Sequence, residues 1–126
     1  MKRFWIGVCV LSLLLASGIA TCCAIKGFHA PISRSLEAAS QAALSDDWAA
    51  ATSYSADAFT RWQRCRDLTA AFADHSVLEE IESLFAEIEV YRHTDDRLAF
   101  AATCAHLSRL AEAVAESHLP KWQNLL

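Results

Sequence analysis

The chain has 126 residues, of which only three are glycine and two are proline. A β protein needs more turn-forming residues than this, so length and composition favour one small all-α domain. Beyond residue 26 the sequence carries eight basic and fifteen acidic residues, a net charge of −7. This charge disfavours nucleic acid and anionic lipid headgroups as partners, because both bind basic surfaces.

An uncharged apolar segment occupies residues 4–25 near the start of the chain. As a helix it would extend about 33 Å, at about 1.5 Å per residue, which is enough to cross a hydrocarbon core of about 30 Å. Lys2 and Arg3 precede the segment, and Lys26 follows it. Because basic flanks remain in the cytoplasm, we predict a single-pass, uncleaved anchor at residues 1–26 with the N-terminus inside and the rest of the chain outside.

Two other fates of this segment stay open. The basic start, the apolar core and the small residues around Gly18 and Ala20 also fit a cleaved signal peptide. A lipoprotein signal would instead use Cys22, although Thr21 is a poor match before the lipidated cysteine. All three alternatives export the remaining domain.

Residues 27–31 are predicted to form a hinge, because Pro31 lacks a backbone N–H and suits the start of a helix better than its interior. The extracytoplasmic helical domain then spans residues 32–126, and its first helix is predicted at 32–44. The apolar residues at helical spacing in this first helix are Ile32, Leu36, Ala39 and Ala43.

The second helix is predicted at residues 47–73, after the turn Ser45-Asp46-Asp47. The serine hydroxyl and the carboxylates of this turn can cap free backbone N–H groups, and acids favour the positive end of a helix. One continuous stripe makes this helix the predicted packing spine of the domain. The stripe consists of Trp48, Ala51, Ser55, Ala58, Trp62, Cys65, Thr69 and Phe72.

The third helix is predicted at residues 77–92, because Ser76 and Glu79 have the spacing of a capping box. Its apolar stripe contains Val77, Leu78, Ile81, Leu84, Phe85, Ile88 and Tyr91. The turn Thr94-Asp95-Asp96 repeats the earlier hydroxyl-Asp-Asp turn and precedes a fourth helix at 95–118, which Pro120 ends. The residues that we expect this helix to bury are Phe100, Thr103 or Cys104, Leu107, Leu110 and Val114.

These elements predict a four-helix domain made of two antiparallel hairpins, because short connections place consecutive helices side by side. The segment 121–126 is too apolar for a loose tail. We expect Trp122 and the terminal leucines to dock on the helices, with contact to the bilayer interface as the alternative.

Cys65 and Cys104 are the two cysteines outside the apolar segment. An exported pair could form a disulfide, but both lie on predicted inward faces, where cysteine acts as a small apolar residue. We therefore predict buried thiols and leave the bridge as the alternative. Within the anchor, Ser12, Ala16 and Ala20 form a small-residue stripe that is compatible with self-association.

The strongest candidate for a ligand or metal site is Asp74 with His75. Glu79 lies four residues after His75, so the two side chains could share a metal if a third ligand came from elsewhere. The alternative interpretation is that Asp74 and Ser76 cap the third helix and that Glu79 belongs to the capping box.

Other polar pairs are weaker candidates for a functional site. Cys104 and His106 are two residues apart and point to different helix faces, and Glu112 and Glu116 share a face without other acids nearby. The sequence has no glycine-rich phosphate loop and no nucleophile motif. We therefore predict that the protein is not an enzyme and has no catalytic, cofactor-binding or metal-binding residue.

Two resemblances rest on short motifs. Asp46-Asp47-Trp48, with Ala39, Ala51 and Ala58, resembles the turn and small packing positions of a tetratricopeptide repeat, which implies only close helix packing. A second layout consists of Met1-Lys2-Arg3 before an apolar run, Pro31-Ile32-Ser33, Ala43-Leu44 with Asp47-Trp48, residues 72–75 (Phe-Ala-Asp-His), Glu79-Glu80-Ile81, Leu84-Phe85-Ala86, Glu89-Val90-Tyr91 and the terminal Trp122, Asn124, Leu125 and Leu126.

This second layout resembles a bacterial family of short membrane-anchored helical proteins from Firmicutes, mostly Clostridia, which is known only as a domain of unknown function. The resemblance implies a bacterial origin and one N-terminal membrane helix, and it implies no activity, cofactor or catalytic residue. Lys121 departs from the pattern, because a second tryptophan is expected before Trp122.

The sequence thus predicts a membrane-tethered, non-enzymatic helical module that acts by contact with a protein partner or with itself at the outer face of the cytoplasmic membrane. The alternative is a small-ligand or metal sensor that uses the Asp74/His75 region.

Overall fold

The computed structural model describes residues 1–117, except for the side chain of Ile25. Within that range it contains four α-helices and no strand, so the all-α class is confirmed there. The helices are α1 (Lys2–Leu44), α2 (Trp48–Ala70), α3 (His75–Thr94) and α4 (Arg97–Ser117). The predicted docking of residues 121–126 and the predicted helix end at Pro120 lie outside the described residues.

Helix α1 is continuous where the sequence predicted a hinge. It has 43 residues, and residues 27–31 are helical with Pro31 inside. A proline in a helix interior costs about 3 kcal/mol. Ile32 and Leu36, which follow it, are 2% and 0% exposed, and burying such a side chain contributes about 1.5–3 kcal/mol. Packing of the second half of α1 therefore outweighs the hydrogen bond that Pro31 is unable to donate.

The second half of α1 lies at the centre of the bundle, so the prediction that the second helix is the packing spine is wrong. Helix α1 packs most extensively against α4 and α2, α3 packs against α4, and the contact between α2 and α3 is the smallest. The predicted inward stripe of the first helix is confirmed, because all four of its residues are buried. Ala39, Ala51 and Ala58 are each 0% exposed. These small side chains let α1 and α2 approach closely.

Most residues of the remaining stripes are buried, but Trp48, Val77, Tyr91 and Leu110 are only partly buried, and Phe72 is exposed. On α2 the buried residues are Ala51, Ser55, Ala58, Trp62, Cys65 and Thr69, and on α4 both Thr103 and Cys104 are buried. Phe72 was predicted to be buried and is 50% exposed. The reason is that α2 ends at Ala70, so Phe72 lies in the connection to α3 and not on the helix face.

The predicted capping box at the start of α3 is wrong. Helix α3 begins at His75, and its N-cap is Asp74 in an extended conformation, without a side-chain capping hydrogen bond. Because the chain enters the helix earlier than predicted, Ser76 lies inside the first turn and has no cap position to fill. Glu79 instead lies beside His75, with 3.5 Å between Oε1 and Nε2.

The two hydroxyl-Asp-Asp turns adopt the same local structure. Asp46 and Asp95 have positive φ angles of 62° and 56°, a conformation that aspartate tolerates better than most residues. In each turn the next aspartate caps a helix. The Oδ1 atoms of Asp47 and Asp96 accept hydrogen bonds from the backbone N–H three residues further on, at 3.2 and 3.1 Å. The predicted capping role of these turns is confirmed.

Candidate functional site

The first half of α1 extends beyond the bundle with its apolar side chains uncovered. Phe4, Leu13 and Leu14 are 71%, 74% and 64% exposed. The helix is long and apolar enough to cross a membrane, and none of its most hydrophobic stretch is buried in the protein. A signal sequence near the N-terminus would meet the same criteria. Uncovered apolar surface of this extent is unfavourable in water and marks a site of contact with another apolar phase.

The second half of α1 makes buried polar contacts that sequence reasoning missed. His29 is 1% exposed, and its Nε2 lies 3.1 Å from Oγ1 of Thr69 on α2. The hydroxyls of Ser33 and Ser108 are 2.9 Å apart, and the hydroxyl of Ser40 donates to a backbone carbonyl of α4 at 2.8 Å. The signal in the sequence is the helical spacing of positions 29, 33 and 40, which places three polar residues on the buried side of the helix.

Arg97 joins the two Asp-Asp turns at the end of the bundle far from the apolar segment. Its Nη1 lies 2.9 Å from Oδ1 of Asp46, and its Nε lies 3.4 Å from Oδ1 of Asp95. The guanidinium is also 5.3 Å from the centre of the Trp48 ring, within the range of a cation–π contact. Trp48 and Arg97 each follow an Asp-Asp pair in the sequence, so the repeated turn could have indicated that these two side chains meet.

The smallest helix contact leaves a groove between α2 and α3, which we call the α2–α3 groove. It encloses about 650 Å³ and is lined by residues of both helices, including Phe59, Trp62, Phe85 and Ile88. The rings of Phe59 and Phe85 meet edge to face with their centres 5.3 Å apart. Phe59 remains 43% exposed, so an aromatic surface is open to a partner at this position.

Acidic and basic residues border the α2–α3 groove and form ion pairs with one another. Arg66 pairs with Glu82 across it, and Arg92 pairs with Glu89 on α3. His93 Nε2 lies 3.1 Å from the same Glu89 carboxylate. Because the charges are paired within the rim, the groove offers apolar contact between polar edges, an arrangement typical of protein–protein interfaces.

The candidate ligand residues at the start of α3 do not converge into a pocket. His75 and Glu79 are close to each other, but their side chains are 88% and 71% exposed. In the part of the chain that the structure describes, no group of three or more histidine, cysteine, aspartate or glutamate side chains is placed to hold a metal ion.

The other polar pairs are also separate from one another. Cys104 is fully buried, whereas the side chain of His106 is 60% exposed and lies 4.0 Å from the Glu80 carboxylate. Glu112 and Glu116 are exposed on α4, where they border a shallow depression beside basic residues of α1. The structure therefore does not assemble a nucleophile with a base from these residues.

The prediction of buried thiols is confirmed for Cys65 and Cys104. Both are free and buried. Burial raises the pKa of the Cys104 thiol to about 12, and burial also raises the pKa of Cys65. Because the thiolate is the reactive form, both side chains act as small apolar core residues.

The fold defines a class of protein: a small helical bundle whose first helix continues into an uncovered apolar segment. Residues 20–125 match the family described as Domain of unknown function (DUF4363), and the chain belongs to this family. No curated protein and no solved structure is significantly similar to the chain.

Proposed function

We propose that this protein is a membrane-tethered, non-enzymatic helical module that acts by protein–protein contact at the outer face of a bacterial cytoplasmic membrane. Residues 1–26 form the anchor, and residues 32–126 form an extracytoplasmic domain of two antiparallel hairpins. Residues 27–31 continue the helix between them. The observation that carries the proposal is α1 itself, whose first half is apolar and uncovered while its second half lies in the core.

The orientation follows from Lys2 and Arg3, since basic residues beside a membrane helix stay in the cytoplasm. A Leu98→Cys variant tests it, because Leu98 is 75% exposed and lies at the start of α4. With Cys9, Cys22 and Cys23 replaced by alanine, a membrane-impermeant maleimide should label Leu98→Cys on intact cells. A cysteine inserted between Met1 and Lys2, the control, keeps both basic residues and should be labelled only after lysis. The reverse pattern would contradict the orientation.

The α2–α3 groove is the surface that we assign to the partner. Its floor is aromatic and aliphatic, and its charged edges are already neutralised by ion pairs. A partner segment that inserts an apolar side chain beside Phe59 would bury that ring without leaving a charge unpaired, which is the costly feature in a desolvated interface.

A photoreactive amino acid at position 59 tests the groove in native membranes with the anchor intact. The matched control is position 54, because Tyr54 is on the same helix and is 45% exposed but does not line the groove. We expect a discrete adduct from position 59, either with another protein or with a second copy, and none from position 54. Absence of any adduct from position 59 would contradict the proposal.

The alternative of a ligand or metal sensor at Asp74 and His75 gains no support from the described residues, because the His75–Glu79 pair is open to solvent. A zinc or manganese titration that raised the melting temperature would revive it.

A further inference from the structure

We infer that the bundle rests on the membrane, with the side chains of Phe28, Leu68 and Phe72 in the bilayer interface beside the anchor. We call these three residues the basal patch. The inference rests on the proposed anchoring and adds a second lipid contact to it. The three side chains are 47%, 39% and 50% exposed, although each is large and apolar.

The position of the basal patch along the membrane normal follows from the continuity of α1. The apolar segment ends at residue 25, and because 27–31 are helical, no flexible spacer separates the bundle from it. At about 1.5 Å per residue, Phe28 and His29 lie only about 4.5 and 6 Å beyond the end of that segment. The hydrogen bond between His29 and Thr69 then fixes Thr69 at nearly the same level.

Helix α2 runs back toward the apolar segment. Two contacts between α1 and α2 occur in opposite order along the two helices: His29 with Thr69, and Ser35 with Asp57, where the hydroxyl donates to Oδ2 at 2.9 Å. Positions after Thr69 are therefore closer to the membrane than Thr69 is.

The chain keeps winding in this direction past the end of α2. The N–H groups of Phe72 and Ala73 both donate to the Thr69 carbonyl, at 3.1 and 2.8 Å. Three further residues at about 1.5 Å each bring Phe72 about 4.5 Å closer to the membrane than Thr69. The Phe72 ring is thus within a few ångströms of the level at which the apolar segment ends.

The chemistry of the basal patch fits an uncharged or zwitterionic lipid surface. Its residues are aromatic or aliphatic, and side chains of this kind are stabilised at the boundary between headgroups and acyl chains. The domain's net charge of −7 offers no attraction to anionic headgroups. Apolar insertion, and not charge, is therefore the expected mode of contact.

Spin labels at cysteines test the inference in the full chain reconstituted into phosphatidylcholine vesicles. The background replaces Cys9, Cys22 and Cys23 by alanine and keeps the buried Cys65 and Cys104. The labelled variants are Phe72→Cys, Leu68→Cys and, as the exposed apolar control at the far end of the bundle, Leu98→Cys. Power saturation compares the accessibility of each label to oxygen, which enters lipid, with its accessibility to a water-soluble nickel chelate.

We expect the ratio of oxygen to nickel accessibility to be several-fold higher for Phe72→Cys than for Leu98→Cys, with Leu68→Cys between them. Circular dichroism of each variant checks that the bundle is folded. If Phe72→Cys matched Leu98→Cys while the protein resisted extraction by alkaline carbonate, the basal contact would be excluded and the anchor would stand. Extraction by carbonate would instead overturn both the anchor and the inference.

Discussion

The two halves of α1 share one helical backbone and have opposite surroundings. Residues 4–25 carry no charge, and residues 4–20 are all exposed, whereas residues 26–44 include the exposed Lys26, Arg34 and Glu37 and pack one face into the core of the bundle. If water surrounded the whole chain, the hydrophobic effect would favour burial of the more apolar half. The fold buries the less apolar half, and this reversal supports the proposed membrane anchor.

The buried half compensates for its modest hydrophobicity by close contact and by polar pairing. Small residues such as Ala39 allow neighbouring helices to approach. Ser33 and Ser40 find hydroxyl and carbonyl partners on α4. A satisfied hydrogen bond contributes about 0.5–1.5 kcal/mol net, and an unsatisfied buried group would cost more. These contacts specify which helix the second half of α1 meets.

Replacing one leucine by alanine in each half of α1 is the strongest test of the difference between the halves. Leu36→Ala, at a position that is 0% exposed, should lower the free energy of unfolding by about 2–5 kcal/mol because it leaves a cavity. Leu13→Ala, at a position that is 74% exposed, should leave it nearly unchanged. Urea unfolding of the full chain in micelles, followed by tryptophan fluorescence, measures both. Equal effects would mean that the two halves belong to one packing unit.

An added charge should affect the first half of α1 and not the second, which is the reverse of the leucine substitutions. Leu14→Arg places a guanidinium near the centre of the apolar segment and should disfavour membrane insertion by about 3 kcal/mol. Leu44→Arg, at the exposed end of the same helix, should have no effect on insertion. The fraction of each variant that resists alkaline carbonate extraction is the readout. Retention of Leu14→Arg at the native level would contradict a membrane-spanning first half.

The helices could be predicted from the sequence because their stripes agree with the core. Ile32, Leu36, Trp62 and Ile88 were all assigned inward from spacing, and all are buried. The hinge at residues 27–31 was predicted wrongly, because local propensity does not include the packing that keeps these residues helical. The predicted end of the second helix was also wrong, because α2 ends at Ala70 while the apolar spacing continues to Phe72.

The candidate site was less predictable, because it depends on gaps and pairings between helices. Spacing placed Trp62 and Phe85 inward, but it gave no indication that α2 and α3 would separate enough to leave Phe59 open in a groove. His29 lay within the predicted hinge, so its burial against Thr69 was not anticipated. The Asp74/His75 candidate came from spacing alone, and spacing does not report that both side chains of the His75–Glu79 pair face solvent.

A smaller effect concerns the thiol of Cys104 on α4, the helix that packs most extensively against α1. Burial raises its pKa from 9.0 to about 12. Its contribution to stability is therefore complete below pH 9 and is lost as the pH rises from 9 to 12, because the unfolded chain releases this proton first. By pH 10 the loss is about 1.4 kcal/mol, the value of one pKa unit.

A Cys104→Ala variant should remove this loss. Between pH 8 and pH 10 its free energy of unfolding should fall by about 1.4 kcal/mol less than that of the native chain. Cys9→Ala, in the uncovered half of α1, is the control and should follow the native chain. Urea unfolding at the two pH values gives the difference, and parallel curves for Cys104→Ala and the native chain would contradict a buried thiol in the core.

The smallest expected effect lies at the far end of the buried half, where Arg97 ties the turn after α1 to the start of α4. A double-mutant cycle with Asp46→Asn and Arg97→Met should give a coupling free energy of about 0.2–1 kcal/mol, the range for exposed ion pairs. Asparagine is chosen because it tolerates the positive φ angle of position 46, so the cycle removes charge without straining the backbone. The coupling should shrink in high salt, since exposed charges are screened. A coupling of zero at low salt would show that helix packing alone holds the two turns together, and that the second half of α1 is fixed only by its buried face.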